Sequence, residues 1–194
     1  MLKQSVLIAL ALSLAIGGGA ASVGWVLNTR EGVGAVTVGP WTAFPDIGTP
    51  EADPYSKARV ARDGMLALGR AEGLSFVAER DSDGGLLKRE CTYRIEGFFP
   101  VGRFWTLYAT DKAQTVLSAQ SGRQPSLHSL EVVRQPDNSV AIDVSARATP
   151  GNWLAVSGVG EMALVLTLYD TPVAASTGVS GIEMPRISRG QCNA

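Results

Sequence analysis

An uncharged, apolar run from Ser5 to Leu27 opens the chain and ends at Asn28-Thr29-Arg30-Glu31. At a rise of about 1.5 Å per residue, a helix of this length crosses a hydrocarbon core of about 30 Å. Lys3 ahead of the run favours a cytoplasmic N-terminus. Two readings of the segment stand. Residues 6–16 have the size of a signal-peptide core, and Gly19-Ala20-Ala21 offers small residues for cleavage. Val23 to Leu27 prolong the run, and Trp25 suits a membrane interface, which favours an uncleaved anchor. On either reading residues 1–30 form the anchor or signal segment, and 31–194 an exported domain. The uncleaved anchor places that domain in the periplasm on a single-pass inner-membrane helix; the cleaved signal makes it periplasmic or secreted.

Beyond the run the period changes from helical to alternating. Residues 33–40 read as a short strand closed by Gly39-Pro40, and 41–45 continue extended. Asp53-Pro54 is a helix start, with Asp as cap and Pro at the first helical position. That helix is expected over 54–61, stopping near Gly64, with Lys57, Arg59 and Arg62 on a basic face. Residues 74–80 and 86–97, separated by Asp81-Ser82-Asp83-Gly84-Gly85, predict a hairpin with one buried face. Further strands are expected at 103–110, 127–134, 140–145 and 162–169. The near-continuous apolar run of the last implies burial on both faces. Segment 111–124 reads as either a short helix or an excursion. Short strands around one helix predict a mainly β domain: an antiparallel, jelly-roll-like β-sandwich with one short helix, preceded by the transmembrane helix.

Composition narrows the function. The formal net charge is −1 over 194 residues, so no basic field exists to draw nucleic acid. Two cysteines and one histidine do not make a standard zinc cluster, and no cofactor motif is present. In an oxidising compartment Cys91 and Cys192 are expected to pair and pin the tail to the domain. The alternative is two unpaired thiols.

Cys91-Thr92-Tyr93-Arg94-Ile95-Glu96-Gly97, Arg103-Phe104-Trp105-Thr106-Leu107-Tyr108 and Asn152-Trp153-Leu154 precede Leu164-Val165-Leu166-Thr167-Leu168-Tyr169. In this order they resemble a bacterial family, the domain of unknown function 1214, over roughly residues 70–190. Gly39-Pro40-Trp41-Thr42 and Asp53-Pro54-Tyr55 are similar to its short, membrane-associated members. The resemblance implies a jelly-roll-like sandwich. It implies no activity, and no functional residue is carried over.

Candidate sites each have a plainer reading. His128, the sole histidine, lies on an expected strand with no Gly-x-Ser-x-Gly elbow to complete a triad; it reads as a packed or surface residue. Asp81 and Asp83 are spaced like the start of a calcium loop but lack the distal ligands, and a turn explains them. Arg103, Trp105, Asn152 and Trp153 are the candidate ligand-pocket residues, because aromatics line pockets; they also build sandwich cores. The leading expectation is a membrane-anchored envelope protein, a non-catalytic binding or accessory module for a protein partner or a small apolar ligand. The alternative is an envelope enzyme working through Arg103 or carboxylates in an aromatic-lined pocket.

Overall fold

A computed structural model describes residues 2–28, 34–64, 67–118, 124–175 and 181–192. Helix α1 spans Leu2–Asn28. The apolar stretch Lys3–Leu27 is long enough to cross a membrane, and none of its most apolar window is covered by the rest of the chain.

Ten strands follow among the described residues: β1 Val36–Val38, β2 Trp41–Ala43, β3 Gly73–Ala78, β4 Cys91–Gly97, β5 Phe104–Thr110, β6 Ser126–His128, β7 Val140–Ser145, β8 Asn152–Ala155, β9 Ala163–Tyr169 and β10 Arg186–Cys192. Helix α2, Pro54–Asp63, joins β2 to β3, and a single turn, α3 Pro172–Ala175, follows β9. One sheet has the order β1-β2-β3-β9-β5-β6 and the other β10-β4-β7-β8. Trp41, Phe76, Leu107 and Leu166 of the first sheet share one buried cluster with Ile95, Ile142, Leu154 and Ile187 of the second. The domain is therefore a β-sandwich with its core between the sheets. Trp41, fully buried, satisfies its indole N–H on the carbonyl of Pro185, 2.8 Å away.

The expected hairpin over 74–97 is only half formed. Its tip closes, with Asp81 N–H donating to the Gly85 carbonyl (2.8 Å) and Arg80 bridging Leu86. Its arms then part. β3 pairs with β9, whereas β4 pairs with β7 and β10. The chain crosses between sheets at β3–β4, β4–β5, β6–β7, β8–β9 and β9–β10. The strand expected over 127–134 ends at His128, where a turn closed by Glu131 N–H on the His128 carbonyl starts one of these crossings. β8 and β10 carried no alternating signal. β7 and β8 pair in parallel because residues 146–151 carry the chain back to the start of β7. This is the one departure from an antiparallel sandwich. α3 is a second small departure, since one short helix was expected.

Cys91 and Cys192 form a disulfide and oppose each other across β4 and β10, as expected. The bond fixes the final strand at the edge of its sheet.

Candidate functional site

The outer face of the first sheet is covered over its central strand and half-buried on the strands beside it. Every residue from Ala163 to Leu168 of β9 is buried, including Val165 and Thr167, which alternate with the core-facing leucines. A strand buried on both sides needs a second layer, and α2 with its flanking loops supplies it.

Local chemistry builds that layer. Asp53 caps α2 through its Oδ1, which accepts from the backbone N–H of Tyr55 (2.8 Å) and Ser56 (3.1 Å). Partial burial would raise the Asp53 carboxyl, but these bonds and that from the Ser56 hydroxyl outweigh it and hold the group below its ordinary value. Gly64 ends the helix in the left-handed conformation. Residues 46–50 back closely onto 67–69: a Cβ at Gly48 would lie 2.1 Å from the Leu68 carbonyl oxygen. An Arg70–Asp46 ion pair ties the same segments.

Between this layer and the sheet lies a groove of about 380 Å³. Phe44, Ile47 and Leu68 line it from the covering layer, and Val77 and Val165 from the sheet. Its polar lining includes Ser75, Tyr108 and Arg59. The Ser75 and Thr167 hydroxyls lie 3.0 Å apart across β3 and β9. Burial first, and the neighbouring Tyr169 second, push the Tyr108 phenol above its ordinary value, against a hydrogen bond with Thr167 that lowers it. Tyr108 is therefore a neutral hydroxyl at physiological pH, able to donate or accept one hydrogen bond.

Arg59 marks one end of the groove. It is 4% exposed, and its guanidinium lies 4.8 Å from the centre of the Phe44 ring. Its Nη2 donates to the Val26 carbonyl (3.1 Å) and its Nη1 to that of Leu27 (3.4 Å); Arg62 Nη2 reaches the Leu27 carbonyl at 2.7 Å. The last carbonyls of a helix lack intrahelical donors and carry the negative end of its dipole. Two arginines of α2 thus cap α1 and seat the apolar helix on the domain. The basic face expected of α2 turns partly inward for this purpose.

A second concavity of about 610 Å³ adjoins the first at this point, sharing Arg59, Ala113 and Gln114 with it. Leu27, the end of α1, lies in its wall.

The residues singled out beforehand do not converge here. Trp105 is buried in the core and stacks on Phe99 at 4.5 Å. Arg103, 82% exposed, faces Asp170 at 3.6 Å. On the opposite sheet, Asn152 accepts from Val133 N–H (2.7 Å) and donates to the carbonyls of Val133 (2.8 Å) and Ala141 (2.9 Å). Trp153 donates to the Ser145 carbonyl at 3.0 Å. These four serve the core, the surface and a loop. His128 lies on the first sheet with Nε2 3.5 Å from Glu131. Asp81 closes its turn by accepting from Asp83 and Gly85 N–H, and pairs with Arg189 at 2.9 Å. Among the described residues no cluster of His, Cys, Asp and Glu is placed to hold a metal. The signal for the groove was the double-sided apolar run of β9, which required a cover.

A family model described as "Protein of unknown function (DUF1214)" matches residues 72–173. The crystal structure of the VPA0106 protein from Vibrio parahaemolyticus is similar over 73% of this chain and 36% of its own, at 19% identity and a TM-score of 0.58, and supports the fold. An uncharacterized protein from Burkholderia cenocepacia aligns over 95% of this chain and 53% of its own, at 17% identity and a TM-score of 0.44. The chain thus spans about a third to about half of the length of these two structures. No curated protein matches it.

Proposed function

Starting from a chain that belongs to the DUF1214 family of proteins of unknown function, we propose that it is a short, membrane-anchored member and a binding module of the bacterial envelope. Its α1 remains in the inner membrane as an uncleaved anchor, and the sandwich lies in the periplasm. The ligand is a small apolar molecule held between α2 and the outer face of the first sheet. The groove carries this reading. Its volume of about 380 Å³ falls within the roughly 300–1,000 Å³ of small-molecule pockets, and apolar walls with a few hydroxyls are what such sites share.

The Cys91–Cys192 bond supports the location, since disulfides persist in oxidising compartments. The seat built by Arg59 and Arg62 supports retention of the helix, because it engages the carbonyls of Val26 and Leu27. The enzymatic alternative works through Arg103 or carboxylates in an aromatic-lined pocket; Arg103 stands in solvent beside Asp170, and among the described residues no Asp or Glu lines the groove, so the binding reading is preferred.

Native mass spectrometry of the full chain extracted in mild detergent tests the proposal. A co-purifying small molecule is expected on the wild type and not on Val165→Trp, which fills the groove. A wild-type protein that never carries or takes up an apolar molecule would overturn it.

A further inference from the structure

We infer that the chain has a second ligand site, at one rim of its four-stranded sheet, which takes a small organic molecule bearing a single carboxylate.

Strand pairing builds the rim. β4 runs antiparallel to β7 and β10, and β8 runs parallel to β7. The start of β4 at Cys91 therefore lies at the same rim as the ends of β7 at Ser145, β8 at Ala155 and β10 at Cys192. Residues at and beyond these ends enclose a concavity of about 640 Å³, which shares no lining residue with the groove. Its walls are tied together. Arg89 N–H donates to the Gly160 carbonyl and Gly160 N–H to the Glu90 carboxylate, both at 2.9 Å. The Cys91–Cys192 bond holds the end of β10, with Gln191 of the lining, against β4.

Two arginines and a threonine of the lining supply donors. Arg89 Nε and Thr149 Oγ1 are buried and make no hydrogen bond among the described residues. A buried donor left unpaired is destabilising, and an acceptor entering the space removes that cost. The Arg89 guanidinium lies against the loop after β8: a Cβ added at Gly158 would stand 3.4 Å from its Nη1. Arg147 brings a second guanidinium from the loop after β7 and is exposed. Among the described residues neither arginine forms an ion pair.

Charge then selects the ligand. Among the described residues Glu90 is the one acidic side chain of the lining. The Gly160 N–H holds its carboxyl below the ordinary value, so it is ionised. Two guanidinium charges against one carboxylate leave a single positive charge to be met. Water satisfies an N–H but not that charge. A carboxylate accepts from a guanidinium fork and a hydroxyl together and supplies one negative charge. Inorganic phosphate would leave most of the volume empty, whereas Ala146 and Val159 offer apolar contact to an organic body.

The test follows the side-chain Nε–H resonance of Arg89 in the full chain, made with isotope-labelled arginine and held in dodecyl maltoside. Its loss in Arg89→Lys identifies the peak. Benzoate should displace it saturably, at concentrations at least tenfold below those of inorganic phosphate, and benzylamine should not displace it. Arg147 is exposed, so Arg147→Gln leaves the fold alone; it should weaken benzoate about tenfold, and Thr149→Val several-fold. Arg103→Gln, which removes a surface arginine elsewhere, should leave the titration unchanged. No saturable displacement, or an equal one by sodium chloride at matched ionic strength, would overturn the site. Phosphate acting as tightly as benzoate would overturn the carboxylate assignment. The readout sits at Arg89, so none of these results bears on the groove between α2 and the first sheet.

Discussion

Replacing Cys192 by Ser removes the bridge at its exposed end and leaves the buried Cys91 thiol in its packing. The bond joins residues 101 apart in sequence. In the chain-entropy model, closing a loop of this size restricts the unfolded chain by about 4–5 kcal/mol. The native state loses little to offset that figure. β10 keeps its ladder with β4 from Arg186 to Arg189, and Ile187 stays in the core. A loss of about 4 kcal/mol corresponds to about 8–16 °C in melting temperature for a domain of this size. Urea unfolding of the full chain in detergent, followed by the fluorescence of buried Trp41 and Trp105, measures it. Reduced wild type should superimpose on Cys192→Ser. A loss below about 1 kcal/mol, with the wild-type bond verified intact, would refute the entropic argument.

Other consequences are equally direct. Asp53→Ala should cost about 1 kcal/mol by uncapping α2. The Asp53 carboxyl is held below its ordinary value of 3.8. Its contribution is therefore full above that pH and fades as pH falls through the lower folded value, so the gap between wild type and Asp53→Ala should stay constant above the ordinary value and narrow in thermal melts taken progressively below it. Arg59→Met with Arg62→Met should unseat α1. Spin labels at Val23 and Glu51, both exposed, should then give a broad distance distribution where the wild type gives a narrow one. Asn152→Ala removes three hydrogen bonds to the loop at Val133 and strand β7. It should cost about 1–3 kcal/mol and speed amide exchange at Val133, whereas unchanged exchange would mean the loop is held elsewhere.

What was legible in the chain was whatever local chemistry decides. Asp53-Pro54 and Gly64 bracket a helix because cap, fixed φ and left-handed stop act within a few residues. The alternation of Val140, Ile142 and Val144 reports one buried face directly. Partner choice is not local. Asp81 and Gly85 close a turn that reads as a hairpin tip, yet β3 finds its partner in β9, and the arms go to different sheets. β10 carries Ile187 as its single buried residue and is otherwise polar. Its pairing with β4 and the disulfide make it a strand. Arg103 and Trp105 are two residues apart, but Arg103 precedes β5 and turns to Asp170 while Trp105 points into the core. The groove was written only indirectly, in the double-sided burial of β9. Its cover comes from Phe44, Arg59 and Leu68, distant in sequence from that strand.

The central claim is that an apolar molecule occupies the space between α2 and the first sheet. A photoreactive phenylalanine analogue introduced in place of Ser75, on the groove wall, tests it in living cells. The expected result is the mass of a small apolar molecule added at position 75 and none when the same analogue replaces Leu130, which is 81% exposed. Equal labelling at both positions, or none at position 75, would contradict it.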